Sequence, residues 1–409
     1  MATDVAPAVT NQGSGRGRGS IPTPPGTSAY TWDAIVIGAG PAGSLAARLL
    51  AQTGARVLLV ERKAFPRSKV CGGCLNAHAL ASLDRAGLTD RVRALGARPI
   101  AAVRVCQRSR MAVLALPPGL AVSRAALDTE LAAAAGDAGA VFAPETMALV
   151  TDEEPARADE DFRRVALQPR GAAASIAHAR LVLAADGLAQ SSLRDCPPLR
   201  SVPSRRARLG VGGLAPEGAI QVSAGAITMA IGRHGYVGAV EVEGGRINVA
   251  AALDADFLKT HGGASGAVSA ILAEAGVSFD PRLESVEWGG TIPLTRRTAR
   301  PAARRLFVLG DAAGYVEPFT GEGMAWAFAA AEALVPLAVG AIAAWDDAMA
   351  EAWTGMYARR IGREQRWCRG VARVLRSPAL VTPIVALLQH QPGLARPWLA
   401  HLHPRASGF

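Results

Sequence analysis

Cysteine, histidine and aromatic residues are all scarce in this chain, and each scarcity removes a class of function. Its five cysteines have no regular spacing, which excludes a disulfide framework and points to a reducing, cytoplasmic setting. Cys71-x-x-Cys74 lacks a second pair at zinc-binding spacing, and the seven histidines form no ligand-spaced cluster, so no metal site is assigned. His401 and His403 read as surface residues. Aromatics make up 5% of the chain and are scattered. The net charge of +10 and the run Arg16-Gly17-Arg18-Gly19 therefore come without the stacking platforms a nucleic-acid groove needs, and no nucleic-acid partner is expected. The first thirty residues lack an apolar segment; they read as a disordered tail over 1–30, not as a secretory signal. Asp152 to Asp161 reads as an acidic surface loop. No internal repeat stands out.

What the chain does carry is glycine at two decisive places. Gly38-Ala39-Gly40-Pro41-Ala42-Gly43 follows the apolar run Ala34-Ile35-Val36-Ile37. The chain turns at Gly38, Gly40 lets a pyrophosphate approach the backbone, and Gly43 lets the following helix pack close to the strand. That helix is Ala- and Leu-rich from Ser44 to Gln52. A second strand, Arg56-Val57-Leu58-Leu59-Val60, ends in Glu61, 23 residues after Gly38, where an acid can accept hydrogen bonds from a ribose. The pattern is that of a dinucleotide-binding fold.

Two later segments complete the set. Leu181-Val182-Leu183-Ala184-Ala185-Asp186-Gly187 is a strand ending in Asp-Gly, and Phe307-Val308-Leu309-Gly310-Asp311-Ala312-Ala313 is followed by Pro318, Gly321, Glu322 and Gly323. With these three motifs in this order, over roughly residues 32 to 335, the chain resembles the para-hydroxybenzoate-hydroxylase-like FAD superfamily. The resemblance implies an α/β fold: a Rossmann-type FAD-binding domain, an inserted, mostly antiparallel β-sheet substrate domain and a C-terminal helical tail. It implies that Gly38, Gly40, Pro41, Ala42, Gly43, Glu61, Arg62, Arg124, Asp186, Gly187, Gly310, Asp311, Pro318, Gly321, Gly323 and Met324 bind FAD. Asp311 would bond the ribityl or ribose region, and the helix after Gly323 would point its N-terminus at the flavin ring. Arg124 would contact phosphate or ribose; a helix-end surface charge is the other reading. Three residues, Leu188, Ala189 and Gln190, separate the Asp-Gly pair from its serine where the family has two, which leaves the roles of Ser191 and Ser192 open.

Phe65-Pro66-Arg67-Ser68-Lys69-Val70-Cys71-Gly72-Gly73 narrows the branch. Together with Trp288-Gly289-Gly290-Thr291-Ile292-Pro293 and Pro318-Phe319-Thr320-Gly321-Glu322-Gly323-Met324, it is similar to the geranylgeranyl reductase family. Those enzymes reduce isoprenoid double bonds with FAD reduced by NAD(P)H or another donor. The resemblance places Cys71, Gly72 and Gly73 on the catalytic side of the flavin. Cys71 and Cys74 retain other readings, as a redox dithiol or as packing. Only one Gly-x-Gly-x-x-Gly is present, so the nicotinamide or other donor is expected to bind transiently. The substrate is expected to be a hydrophobic small molecule. Reduction of an isoprenoid or lipid double bond is the leading chemistry. Hydroxylation of an aromatic, polyketide or quinone-precursor ring by a monooxygenase is the alternative. A flavin halogenase is disfavoured, because no Trp-x-Trp-x-Ile-Pro segment is present.

The expected division is an FAD-binding domain from 31–100, 120–200 and 296–345, a substrate-binding β-sheet domain from 101–119 and 201–295, and a helical region at 346–409. Ala325 to Ala344 is near membrane-spanning length but contains Glu332 and Pro336, and reads as a buried helix. Ala379 to Leu388 is too short to span. In the tail, Arg359, Arg363, Arg366, Arg369, Arg373 and Arg376 fall on one helical face, and Ile361, Trp367, Val371, Val374 and Leu375 on the other. Such a helix either lies on an anionic bilayer, making the membrane a peripheral partner, or caps the domain with its arginines in water.

Overall fold

The computed structural model describes residues 32–151, 162–317, 319 and 321–399. The tail at 1–30, the acidic stretch Asp152–Asp161, Pro318, His401 and His403 lie outside the described residues.

Two eight-stranded sheets organise the molecule. In the first, Leu306–Val308, Ser175–Ala184, Trp32–Ile37, Val57–Val60 and Val141–Ala143 run parallel, side by side in that order. Register is set by pairs such as Ala34 with Val57 and Ile35 with Val182. These strands are apolar almost without interruption because helices cover the sheet. Helices α1 (Pro41–Gln52), α2 (Ala77–Arg85), α3 (Thr89–Ala94) and α4 (Arg124–Asp137) belong to this half. A hairpin, Thr146–Val150 with Arg163–Pro169, extends the sheet antiparallel to Ser175–Ala184.

The second sheet is antiparallel throughout, except where Ala226–Gly232 runs parallel to Arg98–Gln107. Its central strands are Leu209–Ala215, Ile247–Leu253, Gly235–Glu241 and Ala226–Gly232. Short α5 (Ala255–Thr260) precedes α6 (Ala264–Ala275), whose Val268, Ile271 and Leu272 cover one face of the sheet. At the far edge, Cys74–Leu75 pairs with Leu120–Ala121. The Cys-Gly-Gly segment is thereby stitched to the second sheet while its upstream end reaches the first.

Helix α7 (Gly323–Ala343) is long and apolar enough to cross a membrane, but it packs against α1, α2 and α8 (Ala348–Val374). Its Glu332 accepts from Ser82 Oγ at 2.9 Å and from Arg85 at 2.9 and 2.8 Å. Helix α8 caps the first sheet. Trp353, fully buried, donates to the Val308 carbonyl at 3.0 Å, while Tyr357 and Gln365 both donate to the Gly314 carbonyl. Its buried stripe is Trp353, Tyr357, Ile361, Gln365 and Cys368; of the expected apolar face, Ile361 and Leu375 are buried and Val371 and Val374 pack inward, and Trp367 is the one correction. Trp367 is exposed, because the stripe turns inward through a glutamine and a cysteine. Arg376, expected in water, turns inward to Glu317 at 3.6 Å and Asp254 at 3.7 Å. Helix α9 (Pro378–His390) and short α10 (Arg396–Leu399) follow.

Candidate functional site

Three glycine turns converge where the parallel strands end. Gly38 has φ +103°, and a Cβ there would stand 2.5 Å from the Ala185 carbonyl oxygen. A Cβ on Gly43 would stand 1.9 Å from the Gly38 oxygen, so neither position tolerates a side chain. The first loop therefore meets the Asp186-Gly187 turn directly. Gly310 meets the same loop from the other side, with its added Cβ 2.9 Å from Ala42 Cβ. Gly40 caps α1 in extended conformation, with Pro41 opening the helix.

Two guanidinium groups face that opening. A Cβ on Gly40 would lie 3.6 Å from Arg124 Nη2 and 3.7 Å from Arg67 Nη2. Arg124 is buried, which corrects its reading as a surface charge. It donates to Asp128 at 2.8 and 2.7 Å, one helical turn on. Burial works against its charge, and the Asp128 charge and hydrogen bonds outweigh that, holding its pKa above the ordinary arginine value. Arg67 bridges Asp128 at 3.1 Å and Glu61 at 3.4 Å. Glu61 also accepts from the backbone N–H groups of Ala39 and Lys63. The result is a buried chain, Glu61–Arg67–Asp128–Arg124, in which Arg67 and Asp128 had no role assigned from sequence. The i,i+4 spacing of Arg124 and Asp128 is the one sequence signal that could have exposed it.

Asp186 commits one oxygen to its own turn. Its Oδ2 accepts from Ser192 N–H at 2.8 Å and Ser191 Oγ at 3.2 Å, while Oδ1 is buried without a partner among the described residues. Burial pushes this carboxyl up, against the pull of those hydrogen bonds. The extra residue before the serines is Gln190, left-handed at φ +46° and buried. It donates to the carbonyls of Ala312 (2.7 Å) and Leu199 (3.2 Å) and accepts from Ser201, so it ties the Asp-Gly turn to the Gly-Asp turn.

A cleft of about 840 Å³ runs past these turns, lined by Gly38, Gly40, Glu61, Arg67, Arg124 and Asp186. Arg62 lines it from an exposed position. A second, more apolar cavity of about 150 Å³ adjoins it, lined by Ile227, Met229, Tyr236, Leu294 and Phe319. Lys69 and Cys71 line both. Gly187, Asp311, Gly321, Gly323 and Met324 face the second cavity, with Gly72 and Cys74. Gly73 does not line it; with φ +71° it turns the chain beside Val122 and Asn248, whose amide donates to the Cys71 carbonyl at 2.8 Å. Cys71 and Cys74 are both free thiols. Burial, then the neighbouring Cys71, pushes the Cys74 thiol up to about 12.

The second cavity contains an acid that the sequence reading passed over. Glu317 is buried, its carboxylate within 3.6–3.7 Å of Arg376 and Arg208 but accepting no hydrogen bond among the described residues. Burial raises its pKa against the pull of both arginines. Tyr236 stands under the Arg208 guanidinium and edge-on to Phe319.

A cofactor with a pyrophosphate and a ribose fits the large cleft: side-chain-free glycines, two converging arginines and an unpartnered carboxylate oxygen on Asp186 are what such a group needs. Comparison with known proteins agrees. A family model described as an FAD binding domain matches residues 31–337. Menaquinone reductase of Mycobacterium tuberculosis is 44% identical over 70 residues, 16% of this chain and 17% of that protein. The aligned stretch thus spans about a sixth of that relative. Among solved structures, a geranylgeranyl bacteriochlorophyll reductase-like protein from Thermoplasma acidophilum superposes with a TM-score of 0.73 at 21% identity, covering 88% of this chain and 92% of that one. A myxobacterial chondrochloren halogenase superposes at 0.67 and 20% identity, covering 82% and 81%. At these identities the likenesses concern the fold.

Proposed function

The chain belongs to the FAD binding domain family and is an FAD-dependent oxidoreductase, and from that premise we propose that it reduces carbon–carbon double bonds of an isoprenoid or similar lipid, with NAD(P)H or another transient donor reducing the flavin. The observation that carries this reading is the apolar cavity beside the cofactor cleft, with one buried carboxyl, Glu317, on its wall. FAD, when bound and reduced, would supply the hydride chemistry. The remaining tasks fall to the chain. Arg67 and Arg124 hold the pyrophosphate, Glu61 the adenosine ribose, and Asp311 the ribityl chain. Tyr236, Phe319 and Met229 keep water from the alkene. The Glu317 carboxyl holds the proton that the second alkene carbon receives, and takes a replacement from solvent. The menaquinone reductase relative supports a quinone or isoprenoid lipid as substrate class.

The alternative is a monooxygenase hydroxylating an aromatic, polyketide or quinone-precursor ring in the same cavity. Anaerobic turnover separates the two. The reduced, FAD-loaded protein is mixed without oxygen with menaquinone or a geranylgeranyl lipid. Flavin reoxidation with loss of a side-chain double bond, read by mass after any quinol has been returned to quinone in air, supports the reductase. Failure on every such lipid, with labelled oxygen entering an aromatic product in air, establishes the monooxygenase instead.

A further inference from the structure

Helix α9 is apolar on all sides. Its inner face, Val381 and Val385, packs into the same apolar cluster as Ile227, Met229 and Tyr236 of the second cavity. Its outer face presents Leu380, Pro383, Ile384 and Leu387 at i, i+3, i+4 and i+7, and Leu394 extends the stripe from the turn Pro392–Ala395. The four larger residues are between 42% and 53% exposed. A stripe with this period is what a helix ordinarily buries, and contiguous apolar patches of this kind mark a partner surface.

Charge identifies the partner. From Gln365 to Phe409 the sequence holds no aspartate or glutamate and six arginines, of which Arg376 is paired inward with Glu317 and Asp254. Exposed Arg373 and Arg396 flank α9 on either side. An acid-free, arginine-bearing segment around an exposed apolar stripe complements an anionic bilayer, with lipid tails for the leucines and headgroup phosphates for the guanidinium groups. We propose that α9 and the turn after it dock this protein on an anionic membrane surface, with Leu380, Ile384, Leu387 and Leu394 seated at the acyl boundary. The docking face is thus α9, not the arginine face of α8. The inner face of α9 shares its apolar cluster with the cavity residues Ile227, Met229 and Tyr236, which places a membrane-borne lipid near the cavity. That last consequence rests on the reductase reading; the docking does not.

The test uses the full-length, FAD-loaded protein and sedimentation with vesicles of phosphatidylcholine alone or mixed equally with phosphatidylglycerol. Binding to the mixed vesicles, weakened by salt and about tenfold or more weaker on phosphatidylcholine, is expected. The double variant Leu380→Ser with Leu387→Ser should lose about tenfold or more of that binding, with flavin content and melting temperature unchanged. Ile176→Ser, an equally exposed apolar residue on the first sheet, should bind as wild type. No binding to the mixed vesicles, or binding indifferent to the double variant, overturns the proposal. So does a dimer that the double variant converts to monomer without any vesicle binding, since the stripe would then face a second copy. Because docking needs no turnover, vesicle binding without lipid reduction counts against the reductase reading alone.

Discussion

Lys69 Nζ stands 3.3 Å from Asp311 Oδ2, across 242 residues of sequence. It also lies 3.1 Å from where a Cβ on Gly187 would be. One ammonium group therefore closes the Cys-Gly-Gly loop onto the Asp-Gly and Gly-Asp turns at once. The pair is partly exposed, so it contributes about 1 kcal/mol or less to stability. Its value is positional: Lys69, which lines both cleft and cavity, fixes the Asp311 carboxylate on the cavity side.

Asp311→Ala should accordingly leave the fold intact and weaken FAD binding by about tenfold or more, equivalent to about 1.4 kcal/mol. The ratio of flavin to protein absorbance after purification, followed by an FAD titration, measures this. A variant that purifies with a full complement of flavin would mean that Asp311 does not touch the cofactor.

The buried chain Glu61–Arg67–Asp128–Arg124 makes a different prediction. Asp128→Ala leaves two buried guanidinium groups without their shared carboxylate, a change expected to cost about 3–5 kcal/mol. A pyrophosphate binding those arginines would offset part of that loss. Added FAD should then raise the melting temperature of Asp128→Ala by more than it raises that of the wild type. An equal or smaller shift would show that the arginines do not meet the phosphates.

These cases also show what was legible in advance. The glycine turns were readable because steric demand at Gly38, Gly43 and Gly310 is local, and local rules carry from sequence to backbone. The buried ion chain was not, since Arg67 and Asp128 meet only through tertiary packing. Glu317 was missed for the same reason: Arg208 and Arg376, the two cations beside it, come from distant segments. Gln190 was counted only as an extra residue, yet its left-handed backbone and buried amide join two of the three turns. In α8 the apolar pattern points Trp367 the wrong way because the buried position beside it is held by a polar residue, Gln365, which spends its amide on the Gly314 carbonyl.

Glu317 supplies a pH test. Its folded carboxyl is raised above its unfolded value by burial. Its contribution is thus fully present below the unfolded pKa and is lost as pH rises through the folded pKa. The groups that face it are Arg208, Arg376, Asp254 and Tyr236; both arginines oppose the shift, and Asp254 adds to it. Glu317→Gln removes the titration. The melting temperature of the wild type should therefore fall relative to the variant as pH rises from the ordinary glutamate range. A difference that is flat, or that runs the other way, would show that burial does not raise this carboxyl. In the reductase reading the variant also lowers kcat with KM little changed, because the proton is needed only in the transition state.

The two cysteines separate on reactivity. Cys74, with its thiol pushed up to about 12, holds only about one thiolate in ten thousand at pH 8. Its Sγ donates to the Gly72 carbonyl at 3.3 Å, so it is built into the loop. Cys71 lines both cavities and is half-buried. Iodoacetamide at mildly alkaline pH should therefore label Cys71 well ahead of Cys74, read by mass spectrometry of the digested protein. Cys71→Ser should retain FAD and alter turnover or KM for the lipid, since a residue at the boundary touches what binds there. Cys74→Ser should change turnover less than Cys71→Ser, because its Sγ is committed to the Gly72 carbonyl. If both variants lose turnover equally, and a mild oxidant joins the two sulfurs in the wild type, the pair works as a dithiol on the donor side: two thiols become a disulfide as two electrons and two protons pass to the flavin, and the donor reduces the disulfide again.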